Sequence, residues 1–165
     1  MSTTNLSAYD KAQLPDASTM RIGIVVSEWN ADITDNLLRG AVEVLNDCGA
    51  TLDNLKLIHV PGSFELPSGA QLLFENCRLE AVICLGCVIR GETPHFDFVC
   101  DAVAHGVQNV SLKYKRPVIF GLLTDNNVEQ SRARSGGALG NKGVEAAVTA
   151  IKMINVQRQL EDGLR

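Results

Sequence analysis

The segment Cys87-Val88-Ile89-Arg90-Gly91-Glu92-Thr93-Pro94-His95 concentrates groups that can do chemistry. Gly91 permits an unusual backbone turn, and Thr93-Pro94 suits the entry to a helix. Unclaimed amides at a helix N-terminus, next to a glycine, make a natural anion site. His95 then falls in the first turn beside that anion, where an imidazole can move protons near neutral pH. A helix cap followed by a surface histidine accounts for the same residues. Trp29-Asn30 follows a β-branched run. A planar ring there can stack on a heteroaromatic ligand, while Asn30 bonds to the ligand's edge or caps the next helix. A Trp packed on the rim of the core is the plainer alternative. Pro61-Gly62-Ser63-Phe64-Glu65-Leu66-Pro67 reads as a turn entering a helix. The Glu65 carboxylate can accept hydrogen bonds from a polyhydroxyl chain, or sit in the first turn because the helix dipole favours it there. Arg132, Arg134 and Lys142 lie between Glu129 and Gly143, and a guanidinium fork suits phosphate.

Other patterns are set aside on geometry. Gly140-Asn141-Lys142-Gly143 loosely imitates a P-loop, but Asn141 separates Gly140 from Lys142 and the stretch follows a helix. No Gly-x-Gly-x-x-Gly follows the first strand. Cys84-Leu85-Gly86-Cys87 spells Cys-x-x-Cys within a strand, where residues three apart face opposite sides, so the pair does not suit one metal ion. His59 and His105 have no ligand partners at useful spacing.

These residues need elements to hold them. Strands are predicted at Arg21–Val26, Leu55–Val60, Ala81–Val88 and Pro117–Leu122, each apolar on both faces as buried parallel strands are. Helices are predicted at Ala31–Asp47, Phe64–Glu75, His95–Lys115, Asn127–Ser135 and Asn141–Arg158 from apolar residues at helical spacing. In His95–Lys115 that stripe includes Phe98, Val99, Ala102, Val103, Val107 and Val110. Alternating strands and helices imply a parallel sheet with helices on both faces. Such a sheet gathers its strand C-termini on one edge, and ligands bind in the crevice there. Residues 1–19 are polar and aperiodic and are expected to form a flexible arm or a strand docked on assembly; residues 20–165 form one domain.

Composition narrows the class. A chain of 165 residues with net charge −4 has no bulk attraction for nucleic acid or an anionic membrane, so an anionic substrate must be held by local cations and amides. Five cysteines, mostly in apolar stretches, fit buried free thiols in a reducing compartment. No apolar run approaches ~18 residues, and no secretory signal is evident. A cytoplasmic protein is expected.

Four segments together carry a resemblance. They are Val60-Pro-Gly-Ser-Phe-Glu-Leu-Pro67, Leu85-Gly-Cys-Val-Ile-Arg-Gly-Glu-Thr-Pro-His-Phe-Asp97, Pro117-Val-Ile-Phe-Gly-Leu-Leu-Thr124, and Glu129-Gln130 through Gly140-Asn-Lys-Gly143. In this order and spacing the chain resembles the lumazine synthases. The resemblance implies a flavodoxin-like three-layer αβα sandwich with a central four-stranded parallel sheet, assembled into pentamers. It implies condensation of 5-amino-6-(D-ribitylamino)uracil with 3,4-dihydroxy-2-butanone 4-phosphate to 6,7-dimethyl-8-ribityllumazine, phosphate and water, the penultimate step of riboflavin biosynthesis, with no metal and no organic cofactor.

By position, the resemblance makes His95 the proton-transfer residue. Trp29 would stack on the pyrimidine, with Asn30 beside it. Ser63, Phe64 and Glu65 would line the ring and ribityl chain, and Cys87, Val88 and Ile89 would give backbone contacts. Gly91, Glu92, Thr93 and Arg134 would hold the butanone phosphate. Lys142 would lie near the ring, and Phe120 would enter the site of a neighbouring subunit. Trp29 stands where Phe is frequent in the family, keeping a planar ring. Between Arg134 and Gly140 the sequence lacks both the basic residue of capsid-forming relatives and the extra residues of pentamer-only ones. A sixty-subunit icosahedral shell is favoured over a free pentamer or decamer. The rival readings are a non-catalytic flavin- or lumazine-binding relative, a flavodoxin-type electron carrier and a purely structural shell. Retention of Gly91, His95 and Arg134 together argues against the first. Glycine-free Ser27-Glu28-Trp29-Asn30 argues against the second. The third has no use for a histidine beside an anion site.

Overall fold

Runs of β-branched residues alternate with amphipathic helices, and the chain folds accordingly. The computed structural model describes residues 7–163. The strands are β1 (Ile22–Ser27), β2 (Leu55–Val60), β3 (Ala81–Ile89) and β4 (Val118–Asp125). They form one sheet in the order β2-β1-β3-β4, with every pairing parallel. The helices are α1 (Ala31–Asp47), α2 (Leu66–Asn76), α3 (His95–Tyr114), α4 (Val128–Arg134) and α5 (Lys142–Gly163). A two-stranded ribbon, β5 (Ser135–Gly137) and β6 (Gly140–Asn141), joins α4 to α5. This is the three-layer, flavodoxin-like α/β arrangement that the sequence predicts.

Strand alternation builds two cores. Ile22, Ile24 and Val26 of β1, with Ala81, Ile83, Leu85 and Cys87 of β3, face α1 and α5. Val25, Val82 and Cys84 face α2 and α3. Cys84 and Cys87 therefore point to opposite faces, as strand geometry requires. All five cysteines are free thiols, and burial pushes the Cys84 thiol up to about 12.

Several boundaries differ from the sequence reading. β4 runs on to Asp125 because Leu123, Thr124 and Asp125 pair with Cys87, Val88 and Ile89 of β3. Ser63–Glu65 form a separate 3-10 turn, so α2 begins only at Leu66. α5 continues to Gly163, with Gln157 bonded to Glu161 one turn on. β2 is not buried on both faces. It is the edge strand, with Lys56, Leu57 and His59 exposed.

The described part of the N-terminal segment packs on the domain. Residues 1–6 lie outside the described residues. From Ser7 onward the segment is docked on its own chain: Ser7 Oγ donates to the Asn141 carbonyl at 3.0 Å, the Tyr9 hydroxyl donates to Asp47 at 3.0 Å, and Ala17 is fully buried in the α1/α5 core. Tyr9, Leu14 and Ala17 pack on that core at no regular spacing in a polar stretch, which hides this docking from sequence.

Arg158 of α5 fastens the opposite end of the molecule. Its Nε donates to Glu80 Oε1 at 2.8 Å and its Nη2 to Oε2 at 3.0 Å, while Nη1 donates to Thr19 Oγ1 at 3.1 Å. Burial alone would raise the Glu80 carboxyl, but hydrogen bonds from Arg158 and from the Arg21 amide outweigh it and hold the group below its usual range. A depressed carboxyl stabilises fully above its ordinary value of about 4.3 and loses that contribution as pH falls through the lower folded value. Arg158→Ala should cost about 1 to 2 kcal/mol at pH 7. Thermal unfolding should show the gap to the unaltered protein narrowing below about pH 4.

Candidate functional site

The strands end at different heights, and the site occupies the step. β1 makes its last pairing with β3 at Val26–Leu85, whereas β3 continues against β4 as far as Ile89–Asp125. The edge of Cys87–Ile89 that faces away from β4 thus has no strand beside it. A cavity of about 570 Å³ opens there. Cys87, Val88 and Ile89 form one wall, and Trp29, Asn30, Ser63, Phe64 and Glu65 form the other. His95, Phe98 and Val99 of α3 close the third side.

Two side chains partly satisfy the open β3 edge. Asn30 Nδ2 donates to the Cys87 carbonyl at 3.1 Å, and Ser63 Oγ donates to the same carbonyl at 3.4 Å. Asn30 reaches it from a left-handed conformation, φ 60° and ψ 45°, which Asn tolerates better than most residues. It occupies the N-cap position of α1 without making a side-chain cap. The cavity side of the sheet, not the helix, uses its amide.

Trp29 does not pack into the core. Its side chain is 66% exposed, and its backbone amide donates to the Pro61 carbonyl at 3.1 Å, continuing the β1–β2 ladder past the strand ends. The ring lies against Gly62, where a β-carbon would come within 2.7 Å of ring atoms Cε3 and Cζ3. Gly62 is thus the residue that lets the indole lie flat along the turn. The Gly62 amide donates to Glu65 Oε2 at 3.0 Å, so one carboxylate oxygen closes the turn. Glu65 Oε1 has no hydrogen-bond partner among the described residues and sits at the cavity.

Behind the β3 wall runs a buried chain of hydrogen bonds. Cys87 Sγ donates to Ser131 Oγ at 3.3 Å, and Ser131 Oγ donates to Asp125 Oδ2 at 2.8 Å. Burial pushes the Cys87 thiol up despite the Ser131 contact, so it stays protonated and is a poor nucleophile. The chain instead ties α4 to the ends of β3 and β4.

His95 is the first residue of α3, exposed at the cavity, and its imidazole has no hydrogen-bond partner among the described residues. Phe98 and Val99, one turn further on, were expected in the buried stripe of the helix. Phe98 is 73% exposed and Val99 half-buried, and both line the cavity. Spacing of three and four from His95 is the sequence signal that could have found them.

The remaining expected site residues do not line this cavity. Gly91 does not make the unusual backbone turn expected of it. Its φ is not positive, and an added β-carbon would meet nothing within 4 Å, so no local turn requires glycine there. Glu92 and Thr93 are exposed on the loop beside it. Arg134 ends α4 half-buried, with no ion-pair partner among the described residues. Lys142 Nζ pairs with Glu145 at 2.8 Å. Phe120 lies in a separate groove with Asp97, Phe98 and Asp101. The expected convergence of Trp29, Glu65, His95 and Arg134 therefore holds for the first three and not for Arg134 within one chain. Arg134, the last residue of α4, is not part of the lining of this chain's crevice.

Comparison with known proteins accords with this geometry. Residues 19–158 match the profile of 6,7-dimethyl-8-ribityllumazine synthase. The chain is 56% identical to the protein of that name from Parabacteroides distasonis, over 92% of this chain and 94% of that one. It is 54% identical to the one from Cytophaga hutchinsonii, over 91% and 94%, and 52% identical to the one from Flavobacterium johnsoniae, over 94% and 82%. With this fold, this crevice and these matches, the chain belongs to the 6,7-dimethyl-8-ribityllumazine synthase family.

Proposed function

We propose that the protein joins 5-amino-6-(D-ribitylamino)uracil to 3,4-dihydroxy-2-butanone 4-phosphate, giving 6,7-dimethyl-8-ribityllumazine, phosphate and water. The observation that carries this reading is the cavity itself. It combines an exposed indole, an open strand edge, and a carboxylate oxygen and an imidazole that have no hydrogen-bond partner among the described residues. The pyrimidine stacks on Trp29, its ring heteroatoms meet the open β3 edge at Cys87–Ile89, and Glu65 Oε1 accepts from a ribityl hydroxyl. Ser63 and Phe64 line the same pocket.

The chemistry is a series of proton movements. The pyrimidine amine attacks the ketone, and loss of water gives an imine. Elimination releases phosphate, the chain tautomerises, and the second nitrogen closes the ring with further loss of water. His95 carries protons between these steps. Holding two substrates in register supplies much of the acceleration, up to about 7 to 11 kcal/mol at its limit.

The phosphate half of the site needs a second copy of the chain. Gly91, Glu92 and Thr93 stand at the N-terminus of α3, and the open space beside Gly91 suits a phosphate approaching the backbone. Arg134, Lys142 and Phe120 lie off this chain's cavity, so we assign them to the neighbour's site. A pentamer built this way completes every site, and a shell of sixty subunits is our preferred assembly. Five free thiols support a reducing, cytoplasmic setting. Among the described residues no helix is long and apolar enough to cross a membrane.

Incubating the purified protein with both substrates should generate the fluorescent lumazine, with light scattering on the same sample reporting an oligomer; no product would end this reading. His95→Ala should slow turnover about 100-fold without abolishing it. Arg134→Ala should raise KM for the butanone phosphate about 10- to 100-fold, seen in steady-state kinetics. Co-assembling the two variants should restore activity to about a quarter of the sites, because a chain with His95 then meets a neighbour with Arg134. Mixed oligomers no faster than the average of the two variants would place both residues in one chain.

A further inference from the structure

Arg90 lies outside the cavity, and nothing in the proposed reaction uses it, yet it makes more polar contacts than any other residue of its loop. Its Nη2 donates to Asp97 Oδ1 at 2.8 Å and its Nη1 to Asp97 Oδ2 at 3.2 Å, a two-pronged pairing. Its Nε donates to Asn126 Oδ1 at 3.2 Å, and its backbone amide donates to the Asp125 carbonyl at 2.9 Å. Its guanidinium carbon stands 4.2 Å from the centroid of the buried Phe96 ring. Standing at the end of β3, Arg90 thereby grips two further segments, the first turn of α3 and the connection from β4 to α4.

Between the gripped points lies the loop 91–94, followed directly by His95. No side-chain hydrogen bond or ion pair involves Glu92 or Thr93 among the described residues, and a β-carbon at Gly91 would touch nothing. The loop is therefore held from its ends. Phe96 and Asp97, the two residues that Arg90 contacts in α3, come immediately after His95.

We propose that Arg90 is a positioning residue: its clamp on Phe96, Asp97 and Asn126 fixes the loop 91–94 and His95 relative to the cavity and to α4. Its consequence for catalysis rests on the function proposed above. The clamp bears on the phosphate half of the site and on proton transfer, and leaves Trp29 and Glu65 untouched. A lysine cannot replace it, since a point charge neither forks onto a carboxylate nor lies flat on a ring.

The test compares Arg90→Lys, Arg90→Ala and Asp97→Asn with the unaltered protein. Trp29 is the only tryptophan, so its quenching by the pyrimidine substrate reports that half of the site alone. All three variants should bind the pyrimidine within about twofold of normal, while kcat/KM for the butanone phosphate falls about 10- to 100-fold. Hydrogen exchange followed by mass spectrometry should speed up across residues 91–97 and at Asn126, and not in β1 or α5. That second readout stands even if the unaltered protein makes no product, which would count against the proposed reaction and not against the clamp. Arg90→Lys with normal kinetics and normal exchange overturns the proposal. Pyrimidine binding weakened as much as kcat/KM for the butanone phosphate overturns it as well, because that would mark general destabilisation.

Discussion

Everything at the functional end depends on a difference in strand length within an all-parallel sheet. Backbone amides and carbonyls in a sheet interior must be paired. β3 keeps its pairing with β4 to Ile89–Asp125, but β1 leaves it after Val26–Leu85. The last residues of β3 thus present one paired edge and one open edge, and the chain must supply substitutes on the open side. Asn30 and Ser63 supply two hydrogen bonds to one carbonyl. What they leave unfilled is the cavity. A crevice at the carboxyl ends of parallel strands is general to such sheets; here its depth is set by how far β3 outruns its neighbour.

The elements around that step divide the work. The turn after β2 carries Gly62 and Glu65, and each serves the site through the other's geometry. Gly62 lets the indole lie close, and its amide occupies one Glu65 oxygen while the second stays available. Helix α3 brings His95 to the opposite wall with Phe98 and Val99 below it. Asp125 and Ser131 lock α4 onto the strand ends, which fixes where Arg134 emerges. The result is a half-site that is complete for a flat heterocycle and incomplete for an anion. That division fits the proposed site, in which Arg134 of a neighbouring copy completes the anion half.

Much of this was legible in the sequence. The four strands and five main helices follow from the period of the apolar residues, and α1 matches the predicted bounds at both ends. Trp29, Asn30, Ser63, Phe64 and Glu65 of the cavity lining were legible because they fall directly after strands, where a parallel sheet collects its loops. The misses share a cause: sequence periodicity does not say which apolar face meets solvent. Phe98 continues a helical stripe but points into the cavity, and Leu57 lies in a β-branched run but occupies an edge strand. Gly91 looked like a backbone necessity and is not one. Arg134 was placed with His95 because both suit one ligand. Chemistry alone does not reveal which copy of a chain contributes each group.

The most direct test of a site shared between copies is an experimental structure of the assembled protein with the pyrimidine substrate and inorganic phosphate bound. The account predicts the ring flat on Trp29 with a ribityl hydroxyl at Glu65. It also predicts phosphate between the amides near Gly91 of one chain and the Arg134 guanidinium of the next. Phosphate held by Arg134 of the same chain, or a heterocycle bound away from Trp29, would contradict it.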